Sequence, residues 1–296
     1  MRDVGRAESR AGRMFVTPAL LLIGVFFAIP VLGALVLSFT DFDIYSIGNP
    51  ADTRFIGLRN YAALLADPLF WTALKNTAYY VAVGGPLSVA VSLAAAVLIN
   101  ARLTRWKPFF RSAFFAPWVT SLVAVALVWR YMYHPQYGLL NAFLGLWRLG
   151  PIDWLGNPHW AMPAIILVSV WKNFGYNMLI FVAGLQRIPP QLYEAAELDG
   201  AGAWARFRHV TLPMLGPTFV FVGVVTMIAA FQIFSEPYVM TQGGPLKSTL
   251  TLVLFMYEQG FRWWRLGFAA AVAVVLGLLT LVGTVVQLRL RRESAT

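Results

Sequence analysis

The chain has 296 residues, of which 59% are hydrophobic, 15% aromatic and only 12% charged, and it contains no cysteine. Soluble domains carry about a quarter charged residues, so water is the wrong solvent for most of this chain, and the missing thiols exclude disulfides, thiolate metal sites, cysteine nucleophiles and cysteine lipidation. The formal charge of +10 is scattered in short basic groups between apolar runs, which points to membrane topology and away from nucleic acid.

A membrane-spanning helix needs roughly 20 mainly apolar residues to cross about 30 Å of hydrocarbon. Taken in chain order, residues 15–39, 72–99, 109–133, 160–185, 214–237 and 266–288 meet that requirement. The expected fold is therefore an all-α polytopic membrane protein with six transmembrane helices. Arg2, Arg6, Arg10 and Arg13 precede the first run as they would in a signal peptide. That run is too long and lacks an A-x-A-like cleavage site, so it is expected to remain as a helix.

Short cytoplasmic loops retain Lys and Arg. The N-terminal arginines, Arg102, Arg105, Lys107 and Arg111 after the second run, Arg187, Arg206 and Arg208 after the fourth, and Arg289, Arg291 and Arg292 at the end fall on one side. They far outnumber Arg54, Arg59, Arg148, Lys247, Arg262 and Arg265 on the other. Both termini are thus expected in the cytoplasm: 1–13 as an N-terminal segment, 14–290 as the transmembrane domain and 291–296 as a tail. Lys75, Arg130 and Lys172 fall within or at the edge of helices. The opposite loops are rich in Gly, Pro, Asn and aromatics, a composition that forms turns and short surface helices.

The chain carries no engine of its own. A phosphate-binding loop needs Gly-x4-Gly-Lys-Ser/Thr, and no Lys here follows a Gly. "GGPLKST" is the nearest string, but Pro245 lacks an amide proton and Lys247 follows Leu246. His134, His159 and His209 show no metal-ligand spacing, and no catalytic residues are assigned. Ion-driven carriers place carboxylates near the bilayer midplane; only Glu236 comes close, and a hydrated helix-end carboxylate explains it equally well.

Ser169, Lys172, Asn173 and Tyr176 fall at i, i+3, i+4 and i+7 of the fourth run, one polar face in an apolar span. Thr226, Gln232 and Glu236 punctuate the fifth, the last two at i, i+4. Together these two helices can line a path in which amides pair with sugar hydroxyls and Trp171 or Tyr176 stacks on sugar C–H faces. Polar residues also bond helices to one another, and both roles stay open. Lys172 must snorkel or find a partner, and an anionic substrate is one candidate.

Between the fourth and fifth runs the chain reads "LYEAAELDGAGAWARFRHVTLP". Pro190 or Gln191 suits a first helical turn and Gly200 the left-handed residue that ends it. A second short helix follows, with Trp204, Phe207 and Arg208 sharing a face. Helices below about 12–15 residues are marginal alone, so this pair docks either on its own bundle or on a partner.

The string Glu194-Ala195-Ala196-x3-Gly200-x9-Val210-x-Leu212-Pro213 resembles the EAA loop of permease subunits of bacterial ABC importers, with Val210 where Ile is usual. "FIGLRNY" at 55–61, "GLQRIPPQLYEAAELDGA" at 184–201 and "TQGGP" at 241–245 resemble the carbohydrate-uptake branch, the maltose and glycerol-3-phosphate type. The extra N-terminal helices and large insertion of the maltose permease are missing. The resemblance implies a coupling loop at about 187–213, in which Glu194, Ala195, Ala196, Asp199, Gly200, Leu212 and Pro213 seat on a separate ATPase. It also implies a second homologous permease, two ATP-binding subunits that hold the ATP and Mg, and an external solute-binding protein meeting Gly243, Gly244 and Pro245. The cargo would be a sugar, oligosaccharide or glycerol-phosphate-like solute. An ion-gradient-driven secondary transporter of small polar solutes accounts for the six helices but not for the helix–Gly–helix, and a membrane scaffold does not account for the polar faces.

Overall fold

A computed structural model describes residues 2–49, 53–101 and 104–293. Arg102 of the second basic group and the extreme ends of the expected terminal segments, residues 1 and 294–296, lie outside the described residues. Among the described residues regular structure is helical, with one isolated antiparallel bridge between Thr40 and Phe55.

Among the described residues five helices are long and apolar enough to cross a membrane: Arg13–Leu37, Pro68–Asn100, Pro158–Gln186, Gly216–Met240 and Leu266–Arg289. They correspond to the first, second, fourth, fifth and sixth expected spans. The third departs from expectation. Residues 109–133 do not form one continuous span but two helices, Lys107–Val119 and Leu122–Met132, bent by 96°. Pro117 lies in the last turn before the break, and that turn is closed on its carbonyl by the Thr120 N–H at 3.3 Å and the Thr120 hydroxyl at 2.6 Å. Thr120 and Ser121 then run extended, with ψ of 150° and 127°.

The fifth span is also interrupted. Its first helix, Gly216–Phe231, ends at Gln232, and a short helix, Ser235–Met240, follows. The expected i, i+4 pairing of Gln232 and Glu236 on one continuous helix is therefore corrected: the two residues flank a break. The carbonyl of Ile233, freed there, accepts a hydrogen bond from Thr251 Oγ1 at 3.0 Å, as a buried backbone acceptor requires.

The chain divides into two compact units, one around the first span and residues 256–277, the other around residues 68–255 and the end of the last helix. In the first unit the string "FIGLRNY" forms a clasp. Asn60 Nδ2 donates to the carbonyls of Ser38 and Thr40 at 2.9 and 2.8 Å, and the Tyr61 hydroxyl lies 2.7 Å from Ser38 Oγ. The two Asn60 bonds satisfy carbonyls just past the end of the first helical run, where no intrahelical donor remains.

The second unit is built on the second and fourth spans. On the second span Ala73, Thr77, Tyr80, Gly84, Ser88, Ser92 and Ala95 are buried, a stripe at intervals of three and four residues. Small side chains on such a stripe let helices approach closely, the main source of helix association where solvent gives no hydrophobic drive. The fourth span is central, with 61% of its most apolar stretch buried, whereas that of the first span shows none. At Gly175 a Cβ would collide with the carbonyl of Phe114, so only glycine permits the fourth span to run against Lys107–Val119. Towards its end the sixth helix passes the fifth, with Gly283 facing Phe231 and Met227.

Candidate functional site

A cavity of about 450 Å³ opens between the second, fourth and fifth spans and the break in the third. The fourth span contributes Ser169, Asn173, Tyr176 and Asn177, one helical face at i, i+4, i+7 and i+8. Thr226, Gln232, Ser235 and Glu236 come from the fifth. Glu236 is 9% exposed, and its Oε1 accepts a hydrogen bond from Ser169 Oγ at 3.1 Å. Asn173 Nδ2 donates to the carbonyl of Ser169 at 2.8 Å, and Asn177 Nδ2 donates to Thr226 Oγ1 at 3.0 Å. Both proposed roles of this polar face thus coexist: some bonds cross between helices, while the same residues border open space.

Six of the eight residues expected on the path, Ser169, Asn173, Tyr176, Thr226, Gln232 and Glu236, line this cavity. Trp171 and Lys172 are not among its lining. Trp171 packs edge-on against Trp129, ring centroids 5.4 Å apart. Lys172 turns to the break in the third span, where its Nζ donates to the carbonyls of Pro117, Trp118 and Thr120 at 3.0, 3.2 and 2.8 Å. The helix break supplies the acceptors and the lysine supplies the donors. An ammonium at the centre of a membrane helix costs roughly 2.5–3.5 kcal/mol, and hydrogen bonds to charged groups contribute about 1.5–3 kcal/mol each, so three of them suffice to hold it.

The break also positions Trp118. Its ring stacks on Tyr176 with centroids 5.0 Å apart and planes 15° from parallel, forming an aromatic wall on the cavity. Sequence reasoning missed this residue, along with Tyr80, Gly84, Gly85 and Ser88 of the second span and Asn177 of the fourth. Asn177 could have been found at i+4 from Asn173, and the second-span residues from their spacing. Trp118 gave no signal, since it reaches the cavity only because the helix ends beside it.

The polar segment after the fourth span folds as two short helices joined at a glycine. The first, Pro190–Leu198, is capped by Asp199, and Gly200 follows with φ of +78°. The Gly200 N–H bonds to the carbonyl of Glu197 at 3.0 Å and that of Ala201 to Ala196 at 2.9 Å, the paired bonds of a Schellman cap. The second helix begins at Ala203 and continues through a wider turn at Phe207–Thr211 into Leu212–Met214. Two side-chain contacts close the hairpin: an ion pair between Arg206 and Glu197, and the Tyr193 hydroxyl 3.0 Å from Thr211 Oγ1. Glu194, Ala195 and Asp199 are exposed and Ala196 half-buried, while Leu198 is 90% and Trp204 70% exposed.

In the "TQGGP" loop the glycines are supports more than surface. Gly243 is buried and Gly244 and Pro245 are half-buried. Thr249 Oγ1 donates to the Gly244 carbonyl at 2.8 Å, and Asn76 Nδ2 donates to the carbonyls of Lys247 and Leu250 at 2.8 and 2.9 Å. What the loop presents outward is Gln242 and Leu246, the latter 89% exposed.

Residues 88–294 match the family described as "Binding-protein-dependent transport system inner membrane component". The chain is similar to the lactose transport system permease protein LacF of Rhizobium radiobacter, 38% identical over 286 residues covering 95% of this chain and 94% of that one. It is also similar to the arabinooligosaccharides transport system permease protein AraP of Bacillus subtilis (strain 168), 35% identical over 291 residues, 98% and 91% of the two chains. In fold it resembles a chain in the crystal structure of a bacterial ABC transporter involved in the import of the acidic polysaccharide alginate. The TM-score is 0.80 at 21% identity, covering 99% of this chain and 98% of that one. The broken third span, the polar cavity and the helix–Gly–helix thus belong to a multi-pass inner membrane component of the binding-protein-dependent transport systems, the family of which this chain is a member.

Proposed function

We propose that this permease imports a sugar or oligosaccharide as one of two membrane subunits driven by separate ATP-binding subunits. The observation that carries the proposal is the cavity of about 450 Å³ with hydroxyl, amide and aromatic groups on its walls. Hydroxyls and amides exchange hydrogen bonds with sugar hydroxyls, and the faces of aromatic rings suit C–H surfaces. The lactose and arabinooligosaccharide transport proteins among its relatives support this cargo class. The fold by itself does not choose the cargo, since the alginate importer shares it.

In this account both termini and the 187–213 segment face the cytoplasm, as the distribution of Lys and Arg implies. Glu194, Ala195, Ala196, Asp199, Gly200, Leu212 and Pro213 form the seat on an ATPase that holds ATP and Mg, and a solute-binding protein approaches the loop of Gly243, Gly244 and Pro245. A second, homologous permease completes the path. Closure and reopening of the ATPases would move the coupling helices and alternate access to the cavity.

Reconstitution of the complete transporter in proteoliposomes tests this directly, with labelled lactose and arabinooligosaccharides as probes. Uptake is expected to require ATP and binding protein and to survive ionophores that collapse ion gradients. Uptake that stops with the ionophores and ignores ATP depletion would establish a gradient-driven carrier instead.

A further inference from the structure

The cavity holds one charged side chain, Glu236, and none of its lining residues is a lysine, arginine or histidine. The basic residue nearest in sequence, Lys172, sits between the lining residues Val170 and Asn173. Its ammonium nevertheless points to the carbonyls of Pro117, Trp118 and Thr120. A solute in this space therefore meets a carboxylate held by the Ser169 hydroxyl, amides from Asn173 and Gln232, and the stacked rings of Trp118 and Tyr176. A carboxylate accepts hydrogen bonds from sugar hydroxyls and attracts an ammonium. It repels a uronate, sulfonate or phosphate, more strongly inside a low-dielectric protein than in water.

We propose that Glu236 makes this subunit's half of the path a charge filter, admitting neutral and amine-bearing sugars and turning away acidic ones. Lys172 contributes to the filter from outside the cavity: bound to the broken third span, it builds the wall that carries Trp118 and leaves Glu236 as the one charged group on the lining. The substrate class rests on the sugar-import reading above. The charge preference rests on the cavity alone. It separates two cargoes the sequence leaves open, because a glycerol-phosphate-like solute needs a cation where the structure places Glu236.

The chain contains no cysteine, so a single Ser235→Cys thiol on the cavity wall reports its local potential. The complete reconstituted transporter is labelled with methanethiosulfonates of similar size bearing a trimethylammonium, a hydroxyethyl or a sulfonate group. Each rate is divided by that of the same reagent with free mercaptoethanol, and this chain alone is read by intact mass. The cationic reagent is expected to exceed the anionic one by about tenfold or more, since the two feel the same potential with opposite sign. Adding Glu236→Gln should bring that ratio to within about twofold of unity. A second reporter, Gln232→Cys with Glu236 intact, should show the same preference and serves if Glu236→Gln does not assemble.

Equal or faster labelling by the sulfonate at either reporter would overturn the filter, as would a ratio unmoved by Glu236→Gln or no labelling by any reagent. The two readings fail separately. Absent sugar uptake with the charge preference intact removes the sugar class and keeps the filter, whereas sugar uptake with a ratio of one removes the filter.

Discussion

The cavity and the helix–Gly–helix lie in the same compact unit but hold their polar residues together over different distances along the chain. At the cavity Ser169 bonds to Glu236, 67 positions away, and Lys172 to carbonyls 52 to 55 positions away. In the polar segment the Glu197–Arg206 pair, the Schellman bonds and the contact of Tyr193 with Thr211 join residues no more than 18 positions apart. A network closed by distant residues forms only when the whole bundle has packed, and losing one member strands its partners. A locally closed hairpin can keep its shape while its outer face, Leu198 and Trp204 included, stays free for another molecule. Interior polar residues of this protein are thus tied to its packed bundle, and those of the polar segment to one another within the hairpin.

The comparison predicts unequal costs for single substitutions. Lys172→Met should be the most damaging, because it strips the ammonium donor from the carbonyls of Trp118 and Thr120 at about 1–3 kcal/mol each, while that of Pro117 keeps the Thr120 N–H and hydroxyl. The expected result is loss of the folded complex, or a fall in melting temperature larger than for any other variant here, with part of it restored by Lys172→Arg. Gly175→Ala comes next. Its Cβ would press on the Phe114 carbonyl, and overpacking of this kind costs about 1–3 kcal/mol, read as lowered thermal stability of the purified complex. Glu197→Gln should be mildest. The pair it breaks is partly exposed, with side chains 45% and 27% accessible, and such pairs contribute about 0–1 kcal/mol. A melting curve shifted as far as that of Gly175→Ala would break the comparison.

The same contrast explains what could be read from the sequence. Five spans were visible because length and hydropathy are properties of a single segment. The helix–Gly–helix was visible because Pro190, Gly200 and Pro213 punctuate it locally. The third span was misread as continuous: hydropathy does not register the extended backbone at Thr120 and Ser121, and the lysine that stabilises the break is on another helix. For the cavity, the polar face of the fourth span was legible from periodicity, while the destination of Lys172 was not. An ammonium in an apolar run announces that it needs a partner and says nothing of which one. Gln232 and Glu236 looked like neighbours on a helix that in fact ends between them, yet both reach the cavity because the break turns towards it.

The most direct test of the coupling role assigned to the polar segment is ATP hydrolysis by a reconstituted Gly200→Asp complex. Gly200 has φ of +78°, and a Cβ there meets nothing within 4 Å. Asp occupies the left-handed region more readily than most side chains, at a cost of roughly 1–2 kcal/mol, so the bundle should insert and assemble. The new side chain and charge would then lie on the surface proposed to seat on the ATPase. The account predicts an assembled complex in which solute-loaded binding protein no longer stimulates hydrolysis or uptake. Stimulated hydrolysis at the wild-type rate would contradict it and return the segment to a purely structural role.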